Sequence, residues 1–263
     1  MTSIHALRAR VESSLAGRIA APFACRDRRV ADTVSCGIPE IDQLTGGLPR
    51  GGLTEICGPP CSGRTSVLLA ALAARTAQGE SCALVDGRDG FDPQAAEAAG
   101  VQLGQLLWVR CRDIEQALRA TDLLLRGGGF GLIAVDLADI EPKTVRGVPL
   151  NAWFRFRRAV EDTPSILLLL EQESNAKTCA SLVLRLEGEA ARWLAAREEE
   201  GAEAPSWSRL LGGFGVRAER LHVRVQPAQE ISFAGAPPRR ASDTAGAFQT
   251  HTEWREIDLP KTG

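Results

Sequence analysis

From residue 50 onward the chain alternates short, almost wholly apolar runs with longer segments in which apolar residues recur every three or four positions. The runs GLTEIC (52–57), CALVD (82–86), LLWVR (106–110), GLIAVD (131–136) and ILLLL (166–170) predict strands buried on both faces, as in a parallel sheet. Between them, residues 65–78, 93–100, 113–126 and roughly 149–161 predict helices, several followed by a glycine stop. Repeated strand–helix alternation predicts an α/β fold, a mostly parallel sheet with helices on both faces.

Near residue 180 the period changes. SLVLRLE (181–187) and RLHVRVQ (220–226) alternate apolar and polar residues, which predicts half-buried antiparallel strands at the C-terminal edge of the sheet. The segment between them, 188–215, has an acidic, Gly/Pro-rich middle and is expected to be an inserted excursion. From about residue 235 the chain is polar and turn-rich, as a mobile tail or a wrapping arm would be. The expected organisation is a basic helical segment (1–30), a core domain (31–232) and a C-terminal tail (233–263).

Composition narrows the class. A chain of 263 residues with 44% hydrophobic content can bury one full core. The formal net charge of -2 hides a local bias: the first thirty residues hold Arg8, Arg10, Arg18, Arg26, Arg28 and Arg29 against Glu12 and Asp27. Such a run suits either a solvated helix face or contact with nucleic acid. In the same segment Ile4, Leu7, Val11, Leu15 and Ile19 form a helical stripe that needs a cover, either the protein's own sheet edge or a partner. The seven cysteines form no C-x-x-C pair, so neither a disulfide framework nor a zinc site is expected, and the compartment reads as reducing cytoplasm, the nucleoid included. His5, His222 and His251 sit far apart with no ligand spacing. No run is long enough to span a bilayer, and no secretion signal is expected.

The sharpest chemical signal is GPPCSGRT (58–65), with the spacing G-x-x-x-x-G-[KR]-[ST] of a phosphate-binding loop between a strand and a helix. In that motif Gly58 and Gly63 allow a tight turn through Pro59, Pro60, Cys61 and Ser62, whose backbone N–H groups point at one anion. Thr65 would offer its hydroxyl to Mg2+, and Arg64 stands where lysine normally neutralises the terminal phosphates. Arginine keeps the charge but not the compact shape, so binding is expected to survive better than catalysis. The bland alternative is a glycine-rich turn without a ligand. Asp136, closing an apolar strand, is placed to hold the same Mg2+. Cys61 reads as a small loop-filling residue or as a redox-sensitive thiol at a helix N-terminus.

These pieces, in this order, resemble the RecA family of recombinases and its relatives over residues 34–226. The most specific stretch is SCGIPEIDQLTGGLPRGGLTEICGPPCSGRTSVLL (35–69), which resembles the RecA/RadA entry sequence and phosphate loop. Downstream, VDGRDGFDP (85–93) is similar to the Asp-x-Glu-x-x-x-Asp-Pro segment, and ILLLLEQ (166–172) to the strand that ends in a sensor glutamine, here Gln172. The resemblance implies a core that binds ATP with Mg2+. It also implies that the family's water-activating glutamate corresponds to Arg88, which cannot accept a proton near neutral pH, leaving Asp86 and Asp89 as candidate catalytic carboxylates. The aromatic that stacks on adenine is replaced by Gln94-Ala95, there is no tyrosine in the chain, and the second DNA-binding loop is shortened to 173–179. On this resemblance, a counterpart of the RecA C-terminal domain is not expected.

WFRFRR (153–158) interleaves aromatics and arginines, and with Lys143 and Arg146 it occupies the position of the first DNA-binding loop and its following helix. The candidate DNA contacts are Lys143, Arg146, Arg155, Arg157 and Arg158, whereas Trp153, Phe156 and Val160 share a face that suits packing. Among RecA relatives the eroded nucleotide site and the 46–56 block are most similar to the ImuA family. That resemblance implies a damage-inducible accessory role in translesion synthesis through a Y-family polymerase homologue, an error-prone polymerase and RecA, with single-stranded DNA as a further candidate. Two enzyme readings stay open: a divergent DNA-dependent ATPase, and a signalling ATPase related to the KaiC group.

Overall fold

All five apolar runs become strands of one eight-stranded sheet in the computed structural model, which describes residues 32–194, 210–223 and 245–249. In chain order the elements are β1 (Thr33–Val34), α1 (Pro39–Thr45), β2 (Leu48–Pro49), β3 (Gly52–Cys57), α2 (Arg64–Thr76), β4 (Cys82–Asp86), α3 (Pro93–Ala98), β5 (Leu106–Arg110), α4 (Ile114–Gly127), β6 (Leu132–Asp136), α5 (Pro142–Arg146), α6 (Leu150–Val160), β7 (Ile166–Glu171), β8 (Leu182–Leu194), β9 (Leu210–Val223) and β10 (Ala245–Gln249). The strand order is β10-β9-β8-β3-β7-β6-β4-β5, parallel from β8 to β5 and antiparallel at β8–β9 and β9–β10. β1 and β2 pair separately.

Alternation along the central strands separates two cores. Ile56, Leu84, Ala134, Leu168 and Leu170 face α2, whose Val67, Leu68, Ala71 and Leu72 are buried against them. Leu53, Ala83, Val85, Ile133, Val135, Leu167 and Leu169 face the other way, onto α4 and α6. There Trp153, Phe156 and Val160 are all buried, and the Trp153 and Phe156 rings meet edge to face at 6.0 Å. The packing role expected of that helical face is therefore realised.

The entry sequence before β3 has a mechanical purpose. Asp42, in α1, accepts from the Ser35 hydroxyl (2.5 Å) and the Cys36 N–H (2.8 Å), closing the turn before the helix. A Cβ on Gly37, whose φ is 87°, would lie 2.6 Å from the Ala70 carbonyl oxygen, so only glycine lets this turn rest on α2. Buried Arg75 of α2 donates back to the Ser35 carbonyl and pairs with Glu80, which also receives Arg50. The helix behind the phosphate loop is thus anchored to the segment that precedes it.

The excursion expected at 188–215 is corrected at its two flanks, its middle lying outside the described residues. β8 continues to Leu194 and β9 starts at Leu210, so both flanks form one long ribbon, with register shifts near Gly188 and Arg192. β-bulges of this kind break the strict alternation by which the strands were read. Within the tail, 245–249 adds an edge strand to β9 that packs against α1, with Phe248 buried in the core. The basic arm with its stripe from Ile4 to Ile19, His5, His251, residues 195–209 and the rest of the tail lie outside the described residues. No helix among the described residues is long and apolar enough to cross a membrane.

Candidate functional site

Four parallel strands end at one edge of the sheet, at Cys57, Asp86, Asp136 and Glu171, and the candidate site is built from the loops that leave them. Ligands in open α/β sheets bind at this carboxyl edge.

After β3 the chain turns through Gly58–Gly63 into α2. Gly63 caps the helix with φ 89°, and Cys61 also adopts a positive φ of 60°. The loop is braced from outside by the β8–β9 ribbon. A Cβ on Gly58 would sit 2.3 Å from the Leu186 carbonyl oxygen, one on Gly63 2.7 Å from Val216, and one on Gly188 2.6 Å from the Cys61 carbonyl oxygen. Pro59, Pro60, Cys61 and Thr65 are exposed, whereas Ser62 and Arg64 are buried. The Ser62 hydroxyl and Arg64 Nη1 are buried without a hydrogen-bond partner. Burial pulls the Arg64 guanidinium below its ordinary value, and the charges of Asp136 and Asp139 oppose that shift. A buried donor with no acceptor is costly, and an anion in the loop would supply the acceptor.

Asp136 ends β6 beside Asp86 of β4. Its carboxylate accepts the Ala138 N–H at 2.9 Å, and burial pushes its pKa up to about 6, with Asp139 and Asp86 adding to the rise. Gln172 donates Nε2 to the Ala138 carbonyl at 2.8 Å, so its side chain is joined to the Asp136 loop. The phosphate loop, Arg64 and Asp136 are brought together; Gln172 touches them through residue 138.

The turn after β4 carries the two candidate carboxylates. Asp86 accepts four hydrogen bonds, from the N–H groups of Arg88 (3.2 Å), Gly90 (3.1 Å) and Phe91 (3.0 Å) and from Trp108 Nε1 (3.2 Å). Asp89, at φ 61°, makes a two-pronged ion pair with Arg110, which holds its carboxyl below the ordinary value. Arg110 in turn lies over Trp108 at 5.1 Å, and Phe91 meets the same ring edge to face. Arg88 is exposed.

The five candidate DNA contacts divide between two places. Lys143 and Arg146 lie on α5, just beyond β6, where both are exposed and Arg146 pairs with Glu173 of the shortened loop. Arg155 on α6 pairs with Asp122 of α4 at 3.0 Å; Arg158 is exposed and Arg157 half-buried.

Sequence reasoning missed a cluster at the ends of β3 and β7. Glu55 and Glu171 are both fully buried. Glu55 accepts from Ser174 Oγ (2.6 Å) and from the N–H groups of Asn175 (2.5 Å) and Ala176 (3.0 Å); Glu171 accepts from Asn175 Nδ2 (2.7 Å). The available signal was an acidic residue inside each of two otherwise apolar strands, GLTEIC and ILLLLE.

Residues 17–147 match the RecA N-terminal domain. The fold is RecA-like. Proteins named RecA from Bordetella avium, Ruegeria pomeroyi and Psychrobacter cryohalolentis are 42%, 38% and 40% identical over 118, 128 and 121 residues, or 44%, 48% and 46% of this chain. The aligned stretch spans about a third of those RecA proteins, 33%, 37% and 34% of their length. The RecA-like domain match takes in the phosphate loop, the Asp86 turn and Asp136, and ends before Gln172, the 173–179 loop and the ribbon.

Proposed function

We propose that this RecA-like chain is a DNA-repair accessory protein of the ImuA type, which holds a nucleoside triphosphate without turning it over efficiently and acts through protein partners. The supporting observation is the turn after β4: the position of the family's catalytic glutamate is the exposed Arg88, and both neighbouring carboxylates are committed, Asp86 to four donors and Asp89 to Arg110. A general base needs a free and sufficiently basic lone pair aimed at water: the four acceptor sites of Asp86 are filled, and the Arg110 pair holds the exposed Asp89 carboxyl below its ordinary value, which weakens it as a base.

The phosphate loop fits ATP with Mg2+ better than it fits a purely structural turn. Ser62 and Arg64 leave a buried hydroxyl and an Nη1 without partners, and the exposed Thr65 hydroxyl with Asp136 would hold the metal ion. Mg2+ would there neutralise phosphate charge. By family resemblance the partners are a Y-family polymerase homologue, an error-prone polymerase and RecA. Lys143, Arg146 and Arg158 would add contact with single-stranded DNA, which supports the runner-up reading of a DNA-dependent ATPase.

The test is steady-state ATP turnover by the full chain with Mg2+, with and without single-stranded DNA, beside direct titration of a fluorescent ATP analogue. Saturable binding with no turnover is expected. Turnover stimulated by DNA would replace this reading with that of a recombinase-like ATPase. In the same assay Arg64→Lys combined with Arg88→Glu is expected to raise turnover above the wild-type level.

A further inference from the structure

The Glu55–Glu171 cluster lies on the opposite face of the sheet from α2. Leu170 points into the α2 core and Leu169 into the α6 core, so Glu171 projects away from the phosphate loop's helix and takes no part in phosphate chemistry. Two fully buried carboxylates on neighbouring strands nevertheless need an explanation, because a pair of like charges in the interior is unfavourable unless something neutralises one of them.

Among the described residues no cation bonds to either carboxylate. The groups facing the pair are Cys57 on β3 and Arg185 on β8, which lies in register with Cys57 and hydrogen-bonds to its side chain. Burial pushes the Cys57 thiol up to about 11, so it stays protonated across the physiological range. Arg185 is exposed, and on the loop Glu173 pairs with Arg146 of α5 while Lys177 is exposed. The hydrogen bonds are asymmetric. Three donors converge on Glu55, whereas Glu171 Oε1 is buried with no donor at all. A proton on Glu171 turns that orphan acceptor into a donor toward Glu55. Asn175 spans the pair, giving its N–H to Glu55 and its Nδ2 to Glu171.

We infer that Glu55 and Glu171 share one proton as a latch that clamps residues 173–179 onto the sheet, and that loss of this proton releases the loop. Burial first, then the charge of Glu55, pushes Glu171 up to about 8. The folded latch therefore binds more protons than the open chain between the ordinary glutamate value and that raised one. Its closing free energy is fully present below the ordinary glutamate value and is lost as pH rises through the raised one. The released segment begins next to Gln172, whose amide is bonded to the Asp136 loop, so the latch sits where the candidate nucleotide loops and the shortened DNA-loop counterpart meet. The latch stands whether or not nucleotide binds.

Amide hydrogen exchange of the full-length protein tests this. In the wild type, protection of the Asn175 and Ala176 amides, corrected for intrinsic exchange, is expected to fall by up to about tenfold per pH unit between about pH 7 and pH 9, while the β7 amides stay protected. Glu171→Gln keeps a neutral donor beside Glu55 and should make that protection independent of pH. Flat protection in the wild type, or an equal fall in Glu171→Gln, would overturn the latch. If Glu171→Gln does not fold, carboxyl carbon shifts of the wild-type protein decide. One buried glutamate titrating near neutral to alkaline pH supports the shared proton; both titrating at the ordinary glutamate value refutes it.

Discussion

The loop after β3 and the turn after β4 leave the same edge of the sheet and are both held by close backbone contacts, yet they treat their polar groups in opposite ways. In residues 58–64 the buried Ser62 hydroxyl and Arg64 Nη1 are left without partners. In residues 86–91 every strong acceptor is occupied: Asp86 gathers four donors and Asp89 is locked to Arg110. An unpaired buried donor is tolerated where a ligand completes it, whereas a carboxylate with its lone pairs filled is a structural device. On the reading proposed above, the difference would separate binding from catalysis: the first loop leaves buried polar groups for a phosphate to complete, whereas Asp86 in the second spends its acceptor sites on holding the turn.

The contrast is broken most severely at Gly58. Gly58→Ala would place a methyl group 2.3 Å from the Leu186 carbonyl oxygen, and neither backbone segment can yield. A loss of about 3 kcal/mol or more is expected, read from the midpoint of urea unfolding. Asp86→Ala comes next, since it leaves three backbone N–H groups and Trp108 Nε1 without an acceptor. Its cost is about 2–4 kcal/mol, while the variant's affinity for the ATP analogue should stay close to that of the wild type. An equal loss of affinity would mean that the turn belongs to the binding site.

Arg64→Met sharpens the comparison from the other side. Removing a buried cation whose Nη1 has no acceptor should raise stability by about 1 kcal/mol in the same urea titration, while nucleotide affinity falls at least about tenfold. A variant that lost both stability and binding would show that Arg64 already has its acceptor within the protein. The smallest effect is expected for Asp89→Asn, whose ion pair with Arg110 is solvent-exposed: no measurable shift of the unfolding midpoint, at low or high salt.

The central strands were legible because apolar runs buried on both faces leave little ambiguity, and the phosphate loop was legible because its glycine spacing is contained in eight consecutive residues. The cluster at Glu55 and Glu171 was not, since which carboxylates meet depends on β3 lying beside β7, a long-range pairing that no local window contains. The same holds for Asp86, whose partner Trp108 comes from the neighbouring strand β5. The ribbon's length escaped because small and polar residues after Gly188 break the period-two pattern at the bulges, although the backbone pairing continues. Trp153 and Phe156, by contrast, announced their buried face through helical spacing alone.

The brace that β8 and β9 lay against the phosphate loop has a consequence for the order in which the protein matures. Residues 58–63 leave the ribosome early, but the backbone at Leu186 and Gly188 and the side chain of Val216 that close around them are made much later. Both strands that pair with β3, β7 and β8, are also made later, so the loop between β3 and α2 is unsupported until then. Contacts of such long sequence separation form slowly. An early-made loop is thus among the last parts to reach its working shape, and truncation after β7 would yield a sheet with a phosphate loop that never sets.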